Sequence, residues 1–249
     1  MSGVRQQPPV LDLICGAEDF AATFDVSRET IARLATYESL LKQWQKAVNL
    51  AAPSTLDAIW HRHFADSAQL LPLAPTARTW VDLGSGAGFP GLVVAILLAD
   101  HGVTSTPDPS PQGGGGTTPT RVTLIESNAR KCAFLRGVVR QTGISAARGS
   151  VDILSIRIET AATQTNLSAP DVVSARALAP LDKLLAFAAP LFTSSTVGLF
   201  LKGRDVAAEL KAAERTWNFD VELVQSRTER DARIVVVRNL EAKSEGIKS

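Results

Sequence analysis

The sequence predicts an α/β fold: a doubly wound, mostly parallel seven-stranded sheet with a helical appendage at its N-terminus. Three observations predict it. From Thr79 onward, short apolar runs alternate with segments of helical period. The first of those runs leads into a glycine cluster, VDLGSGAGFPG (81–91). The last two apolar runs have no helix between them, which marks a hairpin at one edge of an otherwise parallel sheet.

Composition agrees with that class. The chain has 249 residues, 45% hydrophobic and 20% charged, enough apolar surface for one large core. Cys15 and Cys132, the only two cysteines, stand in unrelated contexts. That excludes a disulfide framework or a cysteine metal set, and it makes a reducing cytoplasm the expected compartment. The first residues, MSGVRQQPPVLDLICG, have no long apolar core, so no signal peptide is expected. The longest apolar run, 92–99, is far too short to span a bilayer. A net charge of +1 neither supports nor excludes nucleic acid, because an electrostatic footprint is a patch and not a sum.

Taken in order, residues 1–15 read as a loose tail. Ile31, Leu34, Leu41, Trp44 and Val48 share one helix face, with Ser27 as N-cap and Glu29 in the first turn. A second helix is expected from Ser54, which has capping-box spacing to Asp57, to about Leu71, before Pro72. These helices make 1–75 the appendage. Strands are expected at 79–83, 121–126, 151–156, 171–174, 197–202, 221–225 and 234–238, and helices at 91–100, 128–142, 180–192 and 206–216. Residues 76–240 therefore form the sheet domain and 241–249 a C-terminal tail. The stretch GVTSTPDPSPQGGGGTTPT (102–120) has no periodicity and reads as a flexible insertion at the sheet end opposite the ligand side.

The glycines mark a backbone-exposing turn. Gly84, Gly86 and Gly88 tolerate positive φ and let a ligand approach the main chain. The helix that follows is expected to present free N–H groups there. In a doubly wound sheet the carboxyl ends of the strands form the ligand crevice. The dinucleotide spacing fails when counted from Gly84, because Phe89 occupies the sixth position. Counted from Gly86 it succeeds, through Gly88 and Gly91, but Pro90 then removes a donor that a pyrophosphate needs. Asp82 lies near the end of the first strand, and Glu126 ends the second, where an acid accepts from ribose hydroxyls. The arrangement resembles the nucleotide site of S-adenosylmethionine methyltransferases, whose cofactor carries a carboxylate and no phosphate.

A more specific resemblance rests on seven motifs in unbroken order. They are NLAA (49–52), RHFADSAQLLP (62–72), DLGSGAGFPGL (82–92), ESNARKCAFL (126–135), RIE (157–159), SARALAPL (174–181) and LKG (201–203). Together they resemble the bacterial 16S rRNA guanine-N7 methyltransferases, the RsmG family, also called glucose-inhibited division protein B. The resemblance implies a class I, Rossmann-like methyltransferase that moves a methyl group from S-adenosyl-L-methionine to N7 of one guanine in a decoding-region loop. Its partner would be 16S rRNA or the small ribosomal subunit, with no membrane and no obligate protein partner. It also implies that Gly84, Phe89, Ile158, Glu159 and Arg176 contact the cofactor, the Ile158–Glu159 pair where the adenine lies. Gly86, Gly88 and Glu126 complete that side. Asn49, Arg62, His63, Asp66, Lys131, Arg157 and Lys202 match positions on the substrate side. Two departures stand out: Ala51 replaces a common threonine of NLTA, and the 102–120 insertion exceeds the usual turn.

The chemistry asks little of a catalyst. Guanine N7 carries a lone pair and no proton, so methylation needs no general base and rests on proximity and orientation. The sequence shows no paired carboxylates and no Ser/His/Asp set. N7 faces the deep, narrow major groove of A-form RNA, so the target is expected in a loop or an opened helix. Arg176 follows a strand and Lys202 ends one, both at the ligand edge. Of Arg130, Lys131, Arg136 and Arg140 on one helix, Lys131 is the site candidate. Trp44, Trp60, Trp80, Trp217 and Cys132 read as packing. Other readings remain open at this point: a methyltransferase for another RNA or a small molecule, a nucleotide-binding oxidoreductase, and a non-catalytic RNA-binding protein.

Overall fold

The computed structural model describes residues 10–101, 120–144, 149–164 and 167–243. Two helices lead, α1 (Ala17–Phe24) and α2 (Arg28–Gln45). An irregular stretch follows: a 3₁₀ turn (Pro53–Thr55), a π-helical turn (Trp60–Ala65), the short α3 (Asp66–Ala68) and a second 3₁₀ turn (Leu71–Leu73). Strand and helix then alternate as β1 (Thr79–Leu83), α4 (Gly91–His101), β2 (Thr120–Ile125), α5 (Ala129–Thr142), β3 (Gly149–Leu154), α6 (Ile158–Gln164), β4 (Val172–Arg176), α7 (Leu181–Ala188), β5 (Val197–Lys202) and α8 (Val206–Ala213). The hairpin of β6 (Trp217–Gln225) and β7 (Arg233–Ala242) closes the sheet.

The seven strands lie in the order β3-β2-β1-β4-β5-β7-β6, and β7 runs antiparallel to both neighbours. This is the mixed, doubly wound sheet that the alternation predicts. The order reverses between β1 and β4, so the crevice opens at their carboxyl ends. Because β6 is antiparallel to β7, it runs parallel to the rest, and the β6–β7 turn falls on the same edge.

Period-2 alternation sorts the strand residues into two cores. Trp80, Val172, Leu199, Ile234 and Val236 face one cluster with Leu34, Tyr37 and Leu41 of α2, Leu92 and Ile96 of α4 and Phe134 of α5. Val81, Val173, Phe200, Val235 and Val237 face the other with Leu181, Leu185 and Ala188 of α7 and Val206 and Ala213 of α8. Helix α2 thus packs into the same apolar cluster as α4 and α5.

Several expectations are corrected. Residues 11–14 are not loose: Leu11 N donates to the Arg227 carbonyl at 2.7 Å, Ile14 N donates to His61 Nδ1 at 3.2 Å, and Ile14 is buried. Helices α1 and α6 are additions to the expected set. The helix expected over 54–71 is broken, and it opens from Ala52 with no side-chain cap, so Ser54 does not begin it. In the π-helical turn five of six residues are buried, more than one stripe of a regular helix covers. Trp60 and Trp80 are buried, Trp44 and Trp217 pack against the cores, and Cys132 is buried. β7 runs on to Ala242, into the expected tail. The expected insertion lies outside the described residues except for Thr120, which opens β2. Among the described residues no helix is long and apolar enough to cross a membrane.

Candidate functional site

The floor of the site is the turn after β1. Asp82 shares the parity of Trp80, so its carboxylate lies on the α4 side of the sheet. There Asp82 Oδ2 accepts from Gly91 N at 3.2 Å and Oδ1 from Ser174 Oγ at 2.8 Å. A Cβ at Gly91 would sit 2.6 Å from the Asp82 Cβ, so the close approach of strand and helix requires glycine. Gly88 has φ +98°, and a Cβ there would lie 2.5 Å from the Tyr37 hydroxyl and 2.9 Å from the Leu92 Cβ. Burial pushes the Asp82 carboxyl up to about 6, against hydrogen bonds from Ser85, Ser174 and Gly91 that favour its charged form.

Most amides of this turn are already engaged. Gly86 N donates to Glu126 Oε2 at 2.9 Å, Gly88 N and Phe89 N to the Ser85 carbonyl, and Leu92 N to the Gly88 carbonyl at 2.8 Å. With Gly91 N held by Asp82 and no N–H on Pro90, the start of α4 does not offer the free donors expected of it. A buried carboxylate also opposes the positive end of the helix dipole. A pyrophosphate meets the wrong charge here, and fewer free donors than a helix start normally presents.

Glu126 directly follows β2, which ends one residue earlier than expected. Its Oε1 accepts from Asn128 N at 2.7 Å while Oε2 holds Gly86 N. Each oxygen keeps a second lone pair.

The wall is built from side chains. Arg176 ends β4 and meets three acceptors from the π-helical turn and the start of α3: the Arg62 carbonyl at 3.0 Å, Asp66 Oδ2 at 3.1 Å and His63 Nδ1 at 2.7 Å. Asp66 Oδ1 accepts from Thr228 Oγ1 at 2.7 Å and Gln69 Nε2 at 2.9 Å. The other His63 nitrogen, Nε2, lies 2.8 Å from Thr55 Oγ1. Burial, with the Arg176 and Arg62 charges, lowers the His63 pKa to about 3, so the ring is neutral. It stacks on Phe89 with centroids 4.6 Å apart, and the Arg176 guanidinium lies 5.0 Å from the Phe89 centroid. Arg62 pairs with Glu229 of the β6–β7 turn, both about half exposed.

These pieces enclose a cleft of about 890 Å³. Of the expected site residues, Arg62, His63, Asp66, Gly84, Gly86, Phe89, Lys131, Arg176 and Lys202 line it. Gly88 and Glu126 lie outside the lining, Glu126 holding Gly86 of the floor. Asn49 is exposed beside the lining residues Leu50–Ala52 (50–52). Arg157, Ile158 and Glu159 follow β3, two strands from β1, outside this lining. Two of the substrate-side candidates are also bonded within the protein. Lys202 Nζ is bonded to the Ala179 carbonyl and to Glu209 Oε2, both at 2.6 Å, so it staples the loop after β4. His63 has both ring nitrogens occupied within the protein.

A family model described as rRNA small subunit methyltransferase G, GidB, matches residues 30–105 and 117–235. The chain belongs to that family. The two matched segments leave out 106–116, within the Gly/Pro-rich stretch read above as an insertion. A ribosomal RNA small subunit methyltransferase G from Parvibaculum lavamentivorans is 46% identical over 94% of this chain and 92% of its own. Another from Methylorubrum populi is 49% identical over 87% of this chain and 92% of its own. The crystal structure of a methyltransferase from Geobacter sulfurreducens covers 94% of this chain and 99% of its own, with TM-score 0.52 and 13% identity, a likeness of fold alone.

For this member of the family, sequence reasoning missed Tyr37, Gln45, Thr55, Thr228 and Glu229. Gln45 holds the 49–52 turn, accepting from Leu50 N and Ala51 N at 3.0 Å and donating to the Ala51 carbonyl at 2.9 Å. Thr228 and Glu229 had one available signal. A hairpin whose first strand runs parallel to the sheet must turn at the ligand edge.

Proposed function

We propose that this chain transfers a methyl group from S-adenosylmethionine to N7 of one guanine in a decoding-region loop of 16S rRNA. The observation that carries the reading beyond family membership is the glycine turn with its engaged amides and the buried Asp82 beneath them. That floor suits a cofactor bearing a cationic sulfonium and ammonium, and it disfavours the pyrophosphate of a nicotinamide cofactor. S-adenosylmethionine supplies an electrophilic methyl: the N7 lone pair takes that carbon as the C–S bond breaks, its electrons stay on sulfur, and the positive charge passes to the purine.

The chain's own residues then bind and orient. Gly84, Gly86 and Phe89 form the cofactor floor, Glu126 offers its remaining lone pairs to the ribose, and Ile158–Glu159 serve the adenine two strands along. Arg176 borders the methyl-transfer position. Lys131 and Arg62 face the RNA at the cleft rim, with Asn49 and Arg157 farther out. No residue acts as a base, because N7 has no proton to lose. Residues 1–75 serve as the substrate-side wall, 76–240 as the methyltransferase domain and 241–249 as a tail. The setting is cytoplasmic, and the partner is the small-subunit rRNA, free or in an assembling particle.

The test is methyl transfer from labelled S-adenosylmethionine to 16S rRNA, both naked and in the assembled particle, mapped by cleavage at N7-methylguanine. One labelled guanine is expected. Bound cofactor with no label in either substrate, or label at an atom other than N7, would refute the proposal.

A further inference from the structure

We infer that Tyr37 and His63, both from the N-terminal helical segment, are positioning residues for the cofactor side of the cleft, setting Phe89 and Arg176. The inference rests on the cofactor reading above.

Tyr37 is fully buried on α2, and its hydroxyl donates to the Ala87 carbonyl, two residues before Phe89. Its ring lies 5.5 Å from that of Phe89 at an interplanar angle of 20°. The His63 ring is likewise near-parallel to Phe89, at 11°. Phe89 therefore has two near-parallel ring neighbours, one from α2 and one from the π-helical turn, with the tilted Phe64 ring at 6.1 Å, none belonging to the sheet. The collision that any Cβ at Gly88 would make with the Tyr37 hydroxyl points the same way. The glycine turn is shaped to receive this tyrosine.

His63 adds the second constraint. Arg176 donates to Nδ1, which requires an imidazole lone pair at that nitrogen, and Thr55 lies at Nε2. A protonated ring has no such lone pair. Burial and the neighbouring guanidinium groups keep the ring neutral. The neutral ring thus fixes the plane of Arg176 beside Phe89, while Asp66 balances its charge.

A purely structural role predicts lost stability and nothing else. A positioning role predicts weaker cofactor binding in protein that remains folded. Three variants separate the two: Tyr37→Phe, which removes one hydroxyl and keeps the ring; His63→Leu, which removes the acceptor; and His63→Gln, which restores an amide oxygen to Arg176. Calorimetric titration with S-adenosylmethionine should show Kd raised about tenfold in Tyr37→Phe and His63→Leu, the size of one lost hydrogen bond. His63→Gln should recover part of the loss. At saturating cofactor, the KM for rRNA in Tyr37→Phe should stay at the wild-type value.

Folded Tyr37→Phe and His63→Leu proteins with wild-type Kd would overturn the inference and leave the cofactor reading standing. If His63→Leu fails to fold, Tyr37→Phe decides. Wild-type protein that binds no S-adenosylmethionine would overturn the reading and the inference together. Wild-type protein that binds it yet methylates no rRNA would sink only the substrate assignment.

Discussion

On the floor of the cleft the chain is held by its own backbone. Strand β1 passes into a turn whose amides close on Ser85, Gly88, Glu126 and Asp82, with glycines where any side chain would collide. On the wall, side chains do the holding: Arg176 on Asp66 and His63, Arg62 on Glu229, Lys202 on Glu209. Backbone contacts leave little room for substitution. Side-chain contacts grade with burial, from Arg176–Asp66, both under a fifth exposed, to the half-exposed Arg62–Glu229 pair. The wall is therefore where this protein tolerates adjustment, and the floor is where it does not.

The largest effect should come from the floor. Gly91→Ala places a Cβ 2.5 Å from Leu124 Cδ2 and 2.6 Å from the Asp82 Cβ. It is expected to cost about 3 kcal/mol and to lower Tm by roughly 6–12 °C in a thermal melt. If Tm holds, the floor is softer than the backbone argument allows.

Next comes the buried end of the wall. Arg176→Ala leaves Asp66 to Thr228 and Gln69 alone, and it should lower stability by about 2 kcal/mol in urea unfolding. Methyl transfer should fall by tenfold or more, since Arg176 borders the site. A stability loss without a loss of transfer would confine Arg176 to a structural role.

The two sides should answer acid in opposite senses. His63 has a folded pKa of about 3 against 6.5, so the unfolded chain takes up its proton first. Its contribution to stability is present above 6.5 and is lost as pH falls from 6.5 toward 3. Asp82 has a folded pKa of about 6 against 3.8, so the folded chain takes up that proton first, and stability is gained as pH falls from 6 toward 4. Unfolding measured from pH 7 to 4 should show the acid loss shrink in His63→Gln and the acid gain vanish in Asp82→Asn. Curves superimposable with wild type in both variants would contradict both assignments.

The smallest effect belongs to the rim. Arg62→Ala and Glu229→Ala should each change stability by less than about 1 kcal/mol, and less still in high salt. A double-mutant cycle checks it.

The sheet was legible because its signals are local. Short apolar runs mark the buried strands, and the glycines and Pro90 announce a turn wherever the rest of the chain goes. Asn128 was legible as the start of α5, where its side chain accepts from Arg130 N and Lys131 N. Helix α1 was not legible. It has eight residues and one buried side chain, Phe20, which packs on Phe24 and Trp60, so it exists by docking rather than by propensity. The same holds for the π-helical turn, where burial on nearly all sides erases the periodic stripe.

The amino-acid sequence by itself determined the sheet, its ligand edge, the glycine turn and the family, because those depend on period-2 patterning and on motifs contiguous in the chain. Only the tertiary structure decided who holds whom across that edge. Tyr37 reaches Ala87, fifty residues away, Arg176 reaches Asp66, 110 away, and His61 reaches Thr228, 167 away. It also tied Lys202 to Ala179 and Glu209 and gave amides of the glycine turn to Ser85, Glu126 and Asp82. A hydrogen bond between residues that far apart leaves no mark in either one's local sequence, since the partner is chosen by packing.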